Sequence, residues 1–158
     1  MSNGKGHAIN AIALRYSEKF APSEGTIQAH LNVIEKHGFV WYGKMGKIIG
    51  DKAINSLLKN GKPRILLIDS GKTQRSWAVV SDVKKEIPQD GIYPDYYKKD
   101  IDNFTIWFKV TEIQPAPSDI LSRCTVASSG AILSLASKRS MSSFFMINVE
   151  EESICVRK

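Results

Sequence analysis

The chain has 158 residues, of which 42% are hydrophobic and 24% charged, so its composition excludes wholesale disorder and allows one domain with a sizeable core. No apolar run is long enough to span a membrane and no signal peptide is visible, so we expect a cytoplasmic protein without a membrane partner. The formal net charge is +6, and residues 36–64 hold all of this excess, with seven Lys or Arg residues against one acid, Asp51. Such clustering favours a polyanionic partner, although a solvated helix face has the same composition.

The amino-terminal residues predict a flexible start followed by a strand. Residues 1–6 are polar and Gly-rich, and we treat residues 7–158 as a single domain. In residues 7–16 the alanines suit a helix, whereas the alternation of side chains suits a strand. We favour a strand that ends near Arg15-Tyr16-Ser17.

Two helices with a short strand between them follow. Residues 26–37 place apolar side chains at helical spacing, and Gly38 ends the run. Residues 39–42 are apolar and aromatic, which predicts a strand that stops at the glycines and lysines beyond it. Residues 51–60 predict a second amphipathic helix with Asp51 as its N-cap.

The middle of the chain reads as a hairpin, a long connection and a strong strand. Residues 64–68 predict a buried strand, residues 69–72 a hairpin-type turn, and residues 76–83 the returning strand. Residues 84–103 predict a long loop with unusually many tyrosines, which is often functional. Residues 104–113 carry the clearest strand pattern of the chain.

The carboxyl-terminal part gives weaker signals. Residues 118–123 suggest a helical turn, and residues 125–143 are rich in Ser and small apolar residues. Residues 144–149 fit either a last strand or the start of a helix. Five or six strands with two early helices, and no repeated βαβ unit, predict a small mixed barrel rather than a doubly wound sheet.

No motif supports catalysis. The histidines His7, His30 and His37 stand in no metal-binding or catalytic pattern. Gly71-Lys72-Thr73 looks like the end of a phosphate-binding loop, but the earlier glycine that such a loop needs would fall at Leu66. Cys124 and Cys155 show neither CxxC spacing nor a nearby cluster of histidines, so we expect free thiols. We therefore expect a binding domain rather than an enzyme, without metal or cofactor.

Aromatic and cationic residues instead suggest a binding site for a nucleobase. Flat rings next to fixed positive charge provide stacking faces and phosphate contacts. The tyrosines of the long connection lie between two strands that should join the same sheet. The aromatic candidates are Trp41, Tyr42, Tyr93, Tyr96 and Tyr97. The alternative is a core role for Trp41 and a capping role for the tyrosine connection.

A succession of short features resembles a known family. The features are Val40-Trp41 at a strand end, a helix at 51–60 closed by Gly61-Lys62-Pro63, the apolar strand 64–68, the turn Ser70-Gly71-Lys72 and the returning strand 77–83. This order resembles that of YTH domains and the related EVE domains, which both belong to the PUA-like superfamily. Farther along, residues 105–110 resemble the family's later strand and Lys138-Arg139-Ser140 its basic loop.

The resemblance implies an α+β fold, a small mixed PUA-like β-pseudobarrel with two or more flanking helices. It also implies a reader of a methylated adenine or cytosine that is flipped into an aromatic cage, in which Trp41 matches the first wall. The second wall of YTH domains is a tryptophan after the returning strand, where this chain offers only tyrosines. Polar contacts are expected at the end of the first strand, from Arg15, Tyr16 and Ser17. The candidates for phosphate binding are Lys44, Lys47, Lys72, Arg75, Lys138 and Arg139.

EVE-like domains also occur as the targeting module of bacterial methylation-dependent McrBC-type restriction systems. The resemblance therefore implies nucleic acid as partner, DNA in preference to RNA, and possible association with a fused or separate NTPase or nuclease. Two alternatives stay open, namely an RNA-binding PUA-like domain without specificity for a modified base, and a protein-interaction domain whose basic face meets an acidic partner.

Overall fold

The computed structural model describes residues 10–69, 74–140 and 142–150. The strands within these ranges are β1 (Ala11–Tyr16), β2 (Val40–Met45), β3 (Arg64–Asp69), β4 (Arg75–Lys84), β5 (Phe104–Pro115), β6 (Cys124–Val126) and β7 (Phe144–Val149). The α-helices are α1 (Thr26–His37), α2 (Asp51–Leu58) and α3 (Leu133–Arg139). Short 3₁₀ segments cover Glu18–Phe20, Asp95–Asn103 and Ile120–Arg123. None of the described helices is both long and apolar enough to cross a membrane.

The strands form one mixed sheet in the order β2-β5-β4-β3-β1-β7-β6. β1 and β3 are parallel, and the other neighbouring strands are antiparallel. β2 and β7 lie five strand positions apart, which would separate them by about 24 Å in a flat sheet. Lys44 Nζ on β2 is nevertheless 5.1 Å from the ring centroid of Phe144 on β7. The sheet therefore curls back on itself, and the predicted pseudobarrel of the α+β class is confirmed.

Strands β1 and β3 are buried on both faces because the sheet is covered on both sides. Their inward side chains join α2 in the barrel interior. Their outward side chains pack under α3 and the Ile120–Arg123 segment. The inward residues are Ile12, Leu14, Ile65 and Leu67, and the outward residues are Ala11, Ala13, Leu66 and Ile68. This double burial explains why the two strands read as continuous apolar runs.

The bounds of α1 agree with the prediction, and the helix ends at Gly38, whose φ of 88° suits glycine. Two other boundaries were predicted wrongly. β2 does not stop at Tyr42 but continues to Met45, and the chain turns at Gly46, where φ is 87°. The N-cap of α2 is Gly50 and not Asp51, because Gly50 keeps an extended backbone.

The connection between β4 and β5 is not a structureless loop, since Asp95–Asn103 forms 3₁₀ turns that bury Tyr97. The Ser-rich segment holds β6 and α3, which the sequence did not predict. Residues 144–149, for which a strand and a helix start were both open, form β7. Most of the predicted hairpin turn lies outside the described residues, although Asp69 N–H donates to the Gln74 carbonyl at 3.3 Å beside it.

Candidate nucleic-acid interface

A pocket of about 490 Å³ opens between α2 and the amino-terminal end of β7, and we name it the Phe144 pocket. It combines two aromatic rings, two lysines and several hydroxyl groups on an otherwise apolar lining. The residues that matter for its chemistry are Lys47, Lys52, Ser56, Ser140, Ser142 and Phe144. Its size lies within the usual range of small-molecule sites.

Lys44 and Lys47, both predicted to contact phosphates, approach the same ring from β2 and the turn after it. Lys44 is only 6% exposed, and its ammonium donates to the main-chain carbonyls of Met45 (2.9 Å) and Lys47 (3.2 Å). Burial, and then the charge of Lys47, lower the pKa of Lys44. Lys47 itself is exposed, with its Nζ 5.9 Å from the Phe144 ring centroid. Lys44 therefore fastens the turn, while Lys47 stands at the mouth of the pocket.

Arg15 connects the end of β1 to α3. Its guanidinium donates to the main-chain carbonyls of Ser137 and Ser140, the latter at 3.0 Å, and lies 5.4 Å from the Phe145 ring centroid. A cation is favourable here because the last carbonyls of a helix carry partial negative charge. Ser140 lines the Phe144 pocket, so Arg15 holds the carboxyl-terminal end of α3 against it. The exposed Lys138 and Arg139 immediately precede Ser140.

The predicted cage residue Trp41 lies on the other face of β2, outside the barrel interior. It is 3% exposed and packs with Tyr97, Phe104 and Trp107 in a buried group that we call the aromatic cluster. Its indole N–H donates to the Asp90 carboxylate at 3.1 Å. In this conformation the ring is covered rather than open to a ligand.

Three of the other four predicted aromatic residues belong to the aromatic cluster or pack against it, and Tyr42 does not. Tyr42 follows Trp41 on the strand, so its side chain points the opposite way, into the barrel interior. Tyr97 belongs to the aromatic cluster. Tyr93 and Tyr96 are partly exposed and line a second groove, of about 500 Å³, beside α1. The five aromatic candidates therefore do not surround one open cavity.

A family model described as Pua-like matches residues 12–146, which is most of the chain. The chain belongs to the PUA-like family. Neither the curated proteins nor the solved structures give a significant match. The predicted superfamily is therefore confirmed, and nucleic acid is the class of partner that this family implies. The narrower resemblance to YTH and EVE domains stays a prediction.

The remaining predicted residues of this PUA-like domain are dispersed. Tyr16 points into the barrel interior, where burial above all raises the pKa of its hydroxyl, and no described residue forms a hydrogen bond with that hydroxyl. Ser17 accepts from Lys19 N–H and caps the short segment after β1. Arg75 lines a separate groove of about 400 Å³ next to α1. Lys72 lies outside the described residues.

The PUA-like domain also contains a buried polar chain that the sequence did not indicate. His30 is fully buried, and its Nδ1–H donates to the Thr26 carbonyl at 2.8 Å. Because that carbonyl can only accept, Nε2 of the neutral ring accepts from the Tyr97 hydroxyl at 2.6 Å. The Tyr97 oxygen in turn accepts from Gly43 N–H at 3.1 Å. Burial lowers the pKa of His30 to about 4, which keeps the ring neutral.

This chain of hydrogen bonds closes the free edge of β2. Gly43 N–H points away from β5, and the Tyr97 hydroxyl takes the place of a neighbouring strand. Trp41 N–H is paired in the same way with the Ile92 carbonyl at 2.9 Å. A Cβ atom at Gly43 would lie 2.4 Å from the Phe104 ring, so only glycine lets that ring pack against the strand. The available signal was a polar His30 on the apolar face of α1, where its Nδ1–H bonds the main-chain carbonyl four residues earlier.

The described residues include no group of three or more His, Cys, Asp or Glu side chains that could hold a metal ion.

Proposed function

We propose that this PUA-like domain receives a flipped nucleobase in the Phe144 pocket and holds the flanking phosphates with the lysines and arginine around it. The observation that carries the proposal is that one pocket brings two lysines of neighbouring segments together with an aromatic side chain that is distant in the chain, Phe144. Lys47 and Lys52 come from the turn after β2 and from α2, and Ser140 brings the end of α3 to the same rim.

The energetics suit a base taken out of its stack. Extrusion costs a few kcal/mol, and contact with an aromatic ring returns roughly 1–3 kcal/mol per base. Phe144 is 7% exposed and lines the pocket, so a base reaches it only by entering. The exposed cations at the rim remain available to phosphates, which contribute most of the affinity that does not depend on sequence.

The proposal extends to a methylated base in DNA. Ala53, Val126 and Met146 supply apolar lining against which a methyl group can pack. The resemblance to EVE domains supports a role as the targeting domain of a modification-dependent restriction or defence system. Catalysis would then belong to a fused or associated NTPase or nuclease.

A second candidate places the base at the aromatic cluster, as the sequence suggested for Trp41. The observation that favours it is the indole N–H of Trp107, which is buried and has no partner among the described residues. Tyr93 and Tyr97 lie beside this indole, with centroids at 5.2 and 5.7 Å. A base would satisfy the orphan N–H if the segment around Asp90 moved aside.

Binding measurements test the proposal against the alternatives. We would compare matched DNA and RNA duplexes that carry unmodified adenine or cytosine, N6-methyladenine, 5-methylcytosine or 5-hydroxymethylcytosine, across a series of salt concentrations. We expect affinity to fall steeply with salt and DNA with a modified base to bind most tightly. Binding of RNA without a preference for modification would support the alternative of an RNA-binding domain that has no specificity for a modified base. Weak binding to every nucleic acid would favour an acidic protein partner.

A pair of charge variants locates the interface. Replacing both Lys47 and Lys52 with Ala should weaken every duplex and reduce the salt slope by about one to two units, because two phosphate contacts are lost. The matched control replaces Lys36 and Lys99, which are exposed and do not line the pocket. Equal losses in both double variants would show that net charge alone matters and would remove the pocket from the interface.

A further inference from the structure

Given the proposed function, we infer that the Phe144 pocket selects a base with an exocyclic carbonyl oxygen and discriminates against adenine and N6-methyladenine. The bases that qualify are thymine, cytosine, guanine and their derivatives. The inference rests on the hydrogen-bonding groups at the pocket rather than on its shape.

The charged groups of the described lining are all hydrogen-bond donors. Lys47 and Lys52 can only donate, and the described lining contains neither a carboxylate nor a side-chain amide. The remaining polar side chains are serine hydroxyls. The Ser142 hydroxyl donates a hydrogen bond to the Phe144 carbonyl at 2.7 Å, and the Ser140 hydroxyl oxygen accepts one from Ser142 N–H at 3.1 Å. Charge-assisted hydrogen bonds are about twice as strong as neutral ones, so the lysines decide the preference.

Lys44 adds an independent reason to expect that the bound base places an electron-rich atom near Phe144. Its ammonium has three donors, and the structure shows hydrogen bonds from it to two carbonyls. It is buried beside Phe144, and no carboxylate pairs with it among the described residues. Lys44 does not itself line the pocket, but its charge lies 5.1 Å from the Phe144 ring centroid. A buried cation without a counter-charge is costly, so a ligand oxygen placed against Phe144 would offset part of that cost.

The edges of the bases then differ in a predictable way. Thymine, cytosine and guanine each present a carbonyl oxygen that can accept from an ammonium. Cytosine and guanine also carry an amino group, but each can turn its carbonyl oxygen toward the lysines. Adenine has no exocyclic oxygen: its acceptors are ring nitrogens, and its exocyclic amino group would place donor hydrogens against the cations. Methylation of this amino group leaves it a donor, so N6-methyladenine meets the same mismatch.

The test uses DNA duplexes that differ in one central base and carry an abasic site opposite it, so that no base pair has to be broken. The test bases are thymine, cytosine, 5-methylcytosine, guanine, adenine and N6-methyladenine. We expect the carbonyl bases to bind about tenfold more tightly than the two adenines. In Lys47→Met this ratio should fall to about two, whereas Lys59→Met, an exposed lysine of the same basic segment that does not line the pocket, should keep it. Because a ratio is measured, the general loss of charge cancels. Thermal unfolding of both variants checks that they are folded.

The outcomes separate the inference from the proposed function. A preference for either adenine, or equal affinity for all bases, overturns the inference. The proposed function survives that result if binding depends on salt and on Lys47 and Lys52. A carbonyl preference that persists in Lys47→Met overturns the role given to the cationic donors. Absence of binding to every duplex overturns both.

Discussion

Truncation of Trp41 separates a packing role from a base-binding role. In Trp41→Ala the indole that contacts Tyr97, Phe104 and Trp107 is lost, together with the hydrogen bond to Asp90. Removing a Trp side chain that is 3% exposed should cost about 3–5 kcal/mol of unfolding free energy. The lost hydrogen bond adds little, because the exposed Asp90 regains water.

In a domain of this size each kcal/mol lowers the melting temperature by about 2–4 °C, so we expect a fall of roughly 6–20 °C. The measurement is thermal unfolding followed by circular dichroism. Trp77→Ala is the matched control, because Trp77 is only half-buried and lies on the outer side of β4. The Arg64 guanidinium covers its ring at 4.0 Å from the ring centroid. The control should lose clearly less stability.

The same variant is then tested for binding at a temperature at which it is folded. Trp41 and Phe144 belong to different faces of the sheet, so the preference for a modified base should persist in Trp41→Ala. A melting temperature within about 3 °C of the parent would refute the packing argument. A stable variant that has lost its base preference would move the base site to the aromatic cluster.

Three further predictions concern the framework around the site. Gly43→Ala should destabilise the domain by about 1–3 kcal/mol in chemical denaturation, because the new Cβ meets the buried Phe104 ring. The free energy of unfolding should fall by roughly 3 kcal/mol as the pH is lowered from about 6.5 to about 4, because His30 binds a proton in the unfolded chain and not in the buried ring. His30→Gln should remove most of this dependence and His37→Gln, on an exposed residue, should not. Arg15→Met should release the end of α3, which hydrogen exchange would report as faster exchange there.

Each of these predictions has a result that contradicts it. For Gly43→Ala it is an unchanged denaturation midpoint, which would mean that the ring moves aside at no cost. For the histidine it is a pH profile that is flat in the parent or equally steep in both variants. For Arg15→Met it is a rate of hydrogen exchange in α3 that equals that of the parent, with no change elsewhere in the domain.

Local sequence signals were sufficient where short-range interactions determine the structure. The spacing of apolar side chains and the Gly38 stop fixed α1, because helical hydrogen bonds join residues four apart. Alternation along β5 fixed that strand. The order of short motifs around Trp41 was enough to indicate the PUA-like family and, through it, the class of fold. The secondary structure of the Ser-rich segment was not predicted, because small residues give little periodicity. α3 forms there by packing Leu133 against the outer side of the sheet.

The chemistry of the site depended on the tertiary structure, because it combines residues that are distant in the chain. Lys47 and Phe144 share a pocket only because the curled sheet returns β7 to the end of β2. Lys44 looked like Lys47 in the sequence, yet strand alternation turns it inward, where it binds main-chain carbonyls. Charge, aromatic content and the family could therefore be read from the sequence. Which cations stay exposed, and which rings stay open, was decided by sheet closure, since burial depends on what long-range packing places over each side chain.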